Sequence, residues 1–279
     1  MTKVLAVRAT VRANTLRIAL LFLLATTVAS SALAQVQLVD QNSSMVVVTN
    51  SSAGINDWMI DGAGVLNQQW FWYRVGDDSG QSSIDTLPAQ FAVSDTNPFT
   101  DPHADTLSAL YTASGFTIQL KLSLQGGAPG SKTSDLAEQI NITNTSGQTL
   151  DFHFFQYCDF SLSQSSDSVQ YVNSNTVQQS GGAGIVTETV FTPAPNHHEA
   201  ALDPTILTLL TGGTPATLND SSGAGPGNTS WANEWDVTLG AGQSLLISKD
   251  KHVVVPEPSA FVLAAAGLAG LLLIRRRTC

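Results

Sequence analysis

The sequence predicts an all-β protein: a single β-sandwich or jelly-roll-like body over residues 35–255, between an N-terminal signal peptide and a C-terminal transmembrane helix. Three observations predict it. Apolar and polar residues alternate with a period of two in several stretches, Ser, Thr, Asn, Gly and Pro fill the gaps between them, and no window of the body keeps a helical period. Charge bears on partners instead. Lys3, Arg8, Arg12, Arg17 and Arg275 to Arg277 all lie at the two ends, so the body keeps five cations against 21 acids, a formal charge of −16. Such a body repels phosphate backbones, which excludes a nucleic-acid partner, and it equally repels anionic lipid head groups.

The first 34 residues place four cations before the apolar stretch Ile18 to Ala25 and end in Ala32-Leu33-Ala34. This is the pattern of a secretory signal peptide, with the small side chains of Ala32 and Ala34 fitting the signal peptidase and cleavage falling before Gln35. The apolar core is shorter than the roughly 20 residues a membrane span needs, which argues against a permanent anchor. The export machinery and signal peptidase are therefore the first partners.

Strand candidates follow in order at Met45 to Thr49, Gln69 to Val75 and Leu107 to Ala113. The clearest strand alternates Phe116, Ile118, Leu120, Leu122 and Leu124 with Thr117, Gln119, Lys121 and Ser123. Ile140 to Thr143, a turn at Asn144 to Gln148 and Leu150 to Tyr157 read as a hairpin, as do Trp235 to Leu239, Gly240 to Gln243 and Leu245 to Ser248. Further strands are expected at Ser168 to Val172, Ile185 to Phe191 and Thr205 to Leu210, and Ser161 to Gly184 reads as a long surface loop or a boundary between two smaller sandwiches. One domain is expected, since all-β sandwiches reach this size.

The C-terminus runs Val255-Pro256-Glu257-Pro258-Ser259, then apolar and small residues to Ile274, then Arg275-Arg276-Arg277. Fifteen apolar residues make roughly 22 Å of helix, so a transmembrane helix over 259–274 draws on Ser259 and a snorkelling Arg275 to span. The arginines hold the tail in the cytoplasm, and the prolines keep the helix from running into the body. Pro256, Glu257, Pro258, the apolar helix and Arg275, Arg276 and Arg277 together resemble the PEP-CTERM sorting signal of bacterial exported proteins, over the last 25 residues or so. That resemblance implies recognition by an exosortase-type membrane enzyme and cleavage near the Pro-Glu-Pro triplet. It also implies a chain held in the membrane by its C-terminal helix before processing, then delivered to the cell surface or extracellular polymer matrix.

Chemistry is harder to place. Cys158 is the one body cysteine and Cys279 lies beyond the arginines, so no bridge forms in the mature body, and Cys158 reads as a small buried hydrophobe with His153 too far along a strand to activate it. Gly126 to Thr133 nearly spells a phosphate loop, yet Ser131 stands where a glycine must precede the lysine, and a strand follows, so it reads as a hairpin loop. No G-x-S-x-G occurs. His197-His198-Glu199 and Asp101 to Asp105 contain metal-ligand types without a metal-binding spacing, so loops are expected there and no metal residue is nominated. Calcium is the one cofactor the composition admits, through Asp57, Asp61, Asp77, Asp78, Asp95, Asp101 and Asp105, though no calcium-loop pattern is present. Sequons at Asn42, Asn141 and Asn228 carry little weight in so Asn- and Ser-rich a chain.

In Trp70-Phe71-Trp72-Tyr73, alternation puts Trp70 and Trp72 on one face and Phe71 and Tyr73 on the other. An exposed pair could stack on sugar rings, making Trp70 and Trp72 candidate carbohydrate contacts; the competing arrangement is a central strand buried on both sides. Trp231 and Trp235 pose the same question. The expected function is that of an exported surface or matrix protein, structural or binding. The alternative is a carbohydrate-binding module or secreted carbohydrate-active enzyme acting on exopolysaccharide.

Overall fold

The computed structural model describes residues 35–163 and 165–256. The signal peptide, Glu257 and Pro258 of the sorting signal, the expected helix over 259–274 and the terminal arginines lie outside the described residues. Among the described residues no helix is long and apolar enough to cross a membrane.

Strands dominate. In chain order the first are β1 (Gln35–Asp40), β2 (Ser43–Val48), β3 (Gly54–Ile60), β4 (Ala63–Gly64), β5 (Leu66–Val75) and β6 (Ser82–Ser83). Next come β7 (Ala89–Ser94), β8 (Thr106–Thr112), β9 (Phe116–Gly126), β10 (Thr133–Asn144), β11 (Leu150–Phe160) and β12 (Asp167–Asn173). The chain continues through β13 (Thr176–Gly181), β14 (Gly184–Thr192), β15 (His197–Leu202), the helix α1 (Thr205–Thr211), β16 (Gly223–Gly227), β17 (Thr229–Leu239) and β18 (Ser244–Val254). They form two nine-stranded sheets. The first runs β1-β2-β3-β5-β11-β17-β15, with β4 on β3 and β6 on β5, and the second runs β16-β12-β13-β14-β18-β10-β9-β8-β7. Every pairing is antiparallel except β3 with β5.

The period-two reading of β9 holds to the residue: Phe116, Ile118, Leu120, Leu122 and Leu124 are buried, and Ile118 and Leu120 stand opposite Ile142 and Ile140 of β10. Each such side chain taken fully from water contributes about 1.5–3 kcal/mol. Phe71 stacks on Phe154 and Tyr73 on Phe152 from the first sheet, at centroid distances of 5.6 and 6.1 Å. The glycine loop after β9 is the tip of the β9–β10 hairpin, as expected.

Both other expected hairpins are corrected. β10 belongs to the second sheet and β11 to the first, and β17 and β18 are divided in the same way, so these turns carry the chain from one sheet to the other. The two corners are stitched together. The Asn144 side-chain amide donates to Gln148 O at 2.7 Å and Leu239 O at 2.8 Å, and the Asn144 amide N–H donates to Gln243 O at 2.9 Å. Alternation along two strands separated by a short turn is the same whether they pair edge to edge or face each other, which is why the pattern reads as a hairpin.

Thr205 to Leu210 is helical, not extended. Ile206 and Leu210, four residues apart, are its buried face, and a short apolar run of Thr, Ile and Leu fits either element. His197 to Glu199, expected as a loop, open strand β15 at the edge of the first sheet. Ser161 to Gly184 is largely the β12–β13 hairpin, which extends the second sheet.

Between the sheets the core is not wholly apolar. Glu138, Glu188, Lys249 and Lys251 are buried together, with Lys249 Nζ 2.6 Å from Glu138 Oε2 and Lys251 Nζ bridging both glutamates. Burial alone would raise Glu138, but the two ammonium groups pull its carboxyl down to about 2. Gln69, Gln156 and Asn233 from the first sheet donate to the same carboxylates, so the neutral quartet is hydrogen-bonded from both layers.

Candidate functional site

Register across the first sheet lines up three rows of side chains on its outer face. Arg74, His153 and Asp236 are paired in one row; Trp72, Phe155, Glu234 and His197 in the next; Trp70, Tyr157, Ala232 and Glu199 in the third. The alternate residues Phe71, Phe154 and Trp235 point into the sandwich, which forces the polar set outward.

Trp70 and Trp72 are buried, at 0 and 2% exposure, so they present no flat platform to a sugar. Trp70 Nε1 donates to Asp85 at 2.9 Å, and Trp72 packs edge-on to Tyr157. A side chain at Gly54 would strike the Trp70 ring, its Cβ lying 2.3 Å from Cε3, and φ at Gly54 is +56°. The strand is flanked at its edge by β6 and Asp85, which takes the Trp70 indole N–H, and the 203–222 segment reaches the outer face through Ala216 on Arg74 and Leu218 on Glu234. Trp231 and Trp235 are likewise buried.

These contacts leave a polar cluster. His153 Nδ1 lies 2.5 Å from Asp236 Oδ1 and 4.0 Å from Glu234 Oε1, while its Nε2 lies 3.5 Å from Asp77 Oδ1 and 3.9 Å from Asp151 Oδ2. His197 Nδ1 is 3.0 Å from Asp220 Oδ2, and its Nε2 is 3.8 Å from Asp236 Oδ2. Arg74 is fixed by Gly76 O at 2.9 Å, Asp77 Oδ1 at 2.6 Å and Ala216 O at 3.4 Å. Leu218 N–H donates to Glu234 Oε2 at 2.8 Å, pinning the covering segment to the sheet.

Electrostatics follow from burial. Glu234 is fully buried, and its carboxyl is pushed up to about 7, with the Leu218 amide pulling against burial and the Asp236 charge adding to it. Its Oε1 has no hydrogen-bond partner, nor does His153 Nε2. His197 is raised by its bond to Asp220, and the neighbouring His198 is lowered by burial. The described residues hold two groups of three metal-type ligands, and His153 is in both: with Asp77 and Asp151, and with Glu234 and Asp236.

Register, not sequence spacing, assembles this site. Arg74, His153, Glu234 and Asp236 sit on three strands far apart in the chain, and of them only His153 drew comment in the sequence. The signal that could have found them is the polar interruption of otherwise apolar strands: His153 between Phe152 and Phe154, Glu234 and Asp236 around Trp235. Of the seven candidate calcium aspartates, Asp77 alone reaches the cluster. Asp61 accepts the amides of Gly130 and Lys132, Asp101 those of Gln41 and His103, and Asp105 that of Thr96, each holding a turn. Cys158 is fully buried and its thiol is pushed up to about 12 by burial. The second sheet's outer face carries open cavities, one of about 460 Å³ around Asp40, Asp105, Asp135 and Asp250, and one of about 300 Å³ around Gln119, Lys121, Gln139, Asn141 and Leu246.

The fold is shared with solved structures. A galactose 1-epimerase from Lactobacillus acidophilus NCFM is similar at a TM-score of 0.51 and 8% identity, covering 80% of this chain and 95% of its own. A galactose mutarotase-like protein from Lactobacillus casei ATCC 334 gives 0.51 and 7%, covering 80% of this chain and 100% of its own. A bacterial glucoamylase solved with acarbose gives 0.52 and 8%; the match covers 82% of this chain and 32% of that one. At these identities the likeness is one of fold. No curated protein matches the chain. Residues 254–277 match the PEP-CTERM protein-sorting motif, so the chain carries the sorting signal of an exported protein processed at the membrane by an exosortase-type enzyme.

Proposed function

We propose that this is a cell-surface or extracellular-matrix protein whose sandwich recognises carbohydrate through the Arg74–His153–Asp236 row. Delivery begins with a signal peptide cut between Ala34 and Gln35. The helix over 259–274 then tethers the folded body until cleavage near Pro256-Glu257-Pro258. The sorting motif at 254–277 is the observation that carries the exported, processed part. It begins at the final residue of β18, so the signal follows the sandwich with no intervening linker.

Carbohydrate recognition is supported by the fold shared with sugar-acting proteins and by the chemistry of the cluster. Sugars are bound by a few fixed donors and acceptors at the rim of an apolar floor. Asp77 and Asp151 are exposed and His197 and Asp236 are partly so, and the buried Trp72 and Phe155 occupy the next row of the same face. A second reading, a carbohydrate-active enzyme, is favoured by the convergence of Glu234 and Asp236 on His153.

Mass spectrometry of the surface protein should show a C-terminus within the Pro-Glu-Pro region; an intact Arg277 on mature protein overturns the processing claim. On a panel of neutral polysaccharides and oligosaccharides, His153→Ala and Asp77→Asn should each weaken binding roughly tenfold or more, the scale of a lost charged hydrogen bond. Gln139→Ala on the opposite sheet should leave it unchanged. Loss in the Gln139 variant alone would move the site to the other face. Turnover of a bound sugar that disappears in Glu234→Gln would establish the enzymatic reading.

A further inference from the structure

We propose that His153, Glu234 and Asp236 form a binding site for a first-row divalent cation of the zinc type. Glu234 and Asp236 are separated by one residue on the same face of β17, and His153 stands opposite Asp236 on β11. Two ligands at alternate positions of one strand and a third on its neighbour bring three side chains to one point without any loop. Their ligand atoms all lie within 4.8 Å of one another.

The unsatisfied groups point to a cation. Glu234 is wholly buried, and its Oε1 accepts no hydrogen bond while facing His153 Nδ1 across 4.0 Å, with the Asp236 carboxylate beside it as a group that it can meet only by sharing a proton or a cation. An orphaned carboxylate oxygen is costly unless something positive meets it. Arg74 does not: its guanidinium is turned to Gly76, Asp77 and Ala216. Bonds of about 2.0–2.1 Å in tetrahedral geometry place ligand atoms roughly 3.3 Å apart. The observed separations from His153 Nδ1, 2.5 Å to Asp236 and 4.0 Å to Glu234, straddle that value, so small side-chain rotations close the set.

The outer groups fit the same assignment. A ligating imidazole almost always gives its other N–H to a carboxylate, which fixes its tautomer. Here Nδ1 faces the ligands, and Nε2, without a hydrogen bond in the metal-free arrangement, has the carboxylates of Asp77 at 3.5 Å and Asp151 at 3.9 Å within reach of a small rotation. His197 repeats the arrangement one strand further out, with Asp220 at its Nδ1 and Asp236 Oδ2 at 3.8 Å from its Nε2. An imidazole in the set selects Zn²⁺ or a related borderline ion over calcium, which prefers oxygen alone. Three protein ligands would leave a position open to water or a sugar hydroxyl.

Full-length protein in detergent, stripped with a chelator, is to be titrated calorimetrically with Zn²⁺, Mn²⁺ and Ca²⁺ in the absence of sugar. One equivalent of Zn²⁺ should bind and raise Tm, and His153→Ala and Glu234→Gln should each weaken it at least tenfold. Asp77→Asn alters an exposed side chain, so it keeps the test alive if those variants do not fold, and it should weaken binding by roughly tenfold through the imidazole. His252→Ala, remote from the site, should leave stoichiometry and affinity unchanged. No zinc uptake, uptake indifferent to all three site variants, or a response to calcium alone would overturn the proposal. The saccharide reading stands or falls separately, because each ligand is titrated without the other.

Discussion

Asp159 shows how a single buried carboxyl sets a pH response. Burial first, and then the charge of Asp203, push it up to about 7, although Asn67 donates to it at 3.3 Å. Between the ordinary carboxylate range and 7 the native state holds a proton that the unfolded chain has released. Stability therefore falls as pH rises through that window and is lowest above 7. Asparagine keeps the shape and carries no charge at any pH. Asp159→Asn should melt with the parent at pH 4 and several degrees above it at pH 8, an effect on the order of 2 kcal/mol. Thermal unfolding at the two pH values measures it, and equal shifts at both would show that the charge is not responsible.

At the scale of elements, the corners matter more than the strands they join. Asn144 is fully buried and satisfies carbonyls at both crossovers, Gln148 on its own and Leu239 on the other. Removing it leaves two carbonyls without their donor, so Asn144→Ala should lower stability by about 3 kcal/mol, read from the denaturant midpoint. The m-value should not change. These corners also mark where sequence legibility ends. Alternation locates β9 and β10 because a strand with one wet face must alternate, and it locates β5, β11 and β17 less sharply because both their faces are covered along much of their length. It says nothing about which sheet each strand joins. The polar cluster is invisible for the same reason: His153 meets Asp236 only after β11 and β17 pair, 83 residues apart in the chain. Helix α1 misreads because six apolar and hydroxyl residues carry too little periodicity to separate period two from 3.6. The sorting signal, by contrast, is fully legible, since charge, proline and apolar length act in linear order with no tertiary partner.

Over the whole molecule, the order of strands ties folding to export. β18 is the last strand among the described residues, yet it lies in the middle of the second sheet, paired with β14 on one side and β10 on the other. It also supplies both lysines of the buried quartet, Lys249 and Lys251, along with Ile247 and Val253 of the core. Until β18 has emerged, the sheet is open at its centre and Glu138 and Glu188 are buried without counter-charges, an uncompensated state that costs about 3–5 kcal/mol for a broken pair. The sandwich therefore closes only once β18 is in place, and the sorting motif begins at the last residue of that strand. Cleavage near Pro256 falls beyond every one of these groups and should leave the body intact. A chain ending at Pro256 should unfold cooperatively at the same Tm as the full-length protein, whereas one ending at Ser248, lacking both lysines and Val253, should lose its cooperative transition. Calorimetry on the two truncations decides the matter: a folded, cooperative product ending at Ser248 would show that the C-terminal half of the central strand is dispensable and that folding need not wait for it.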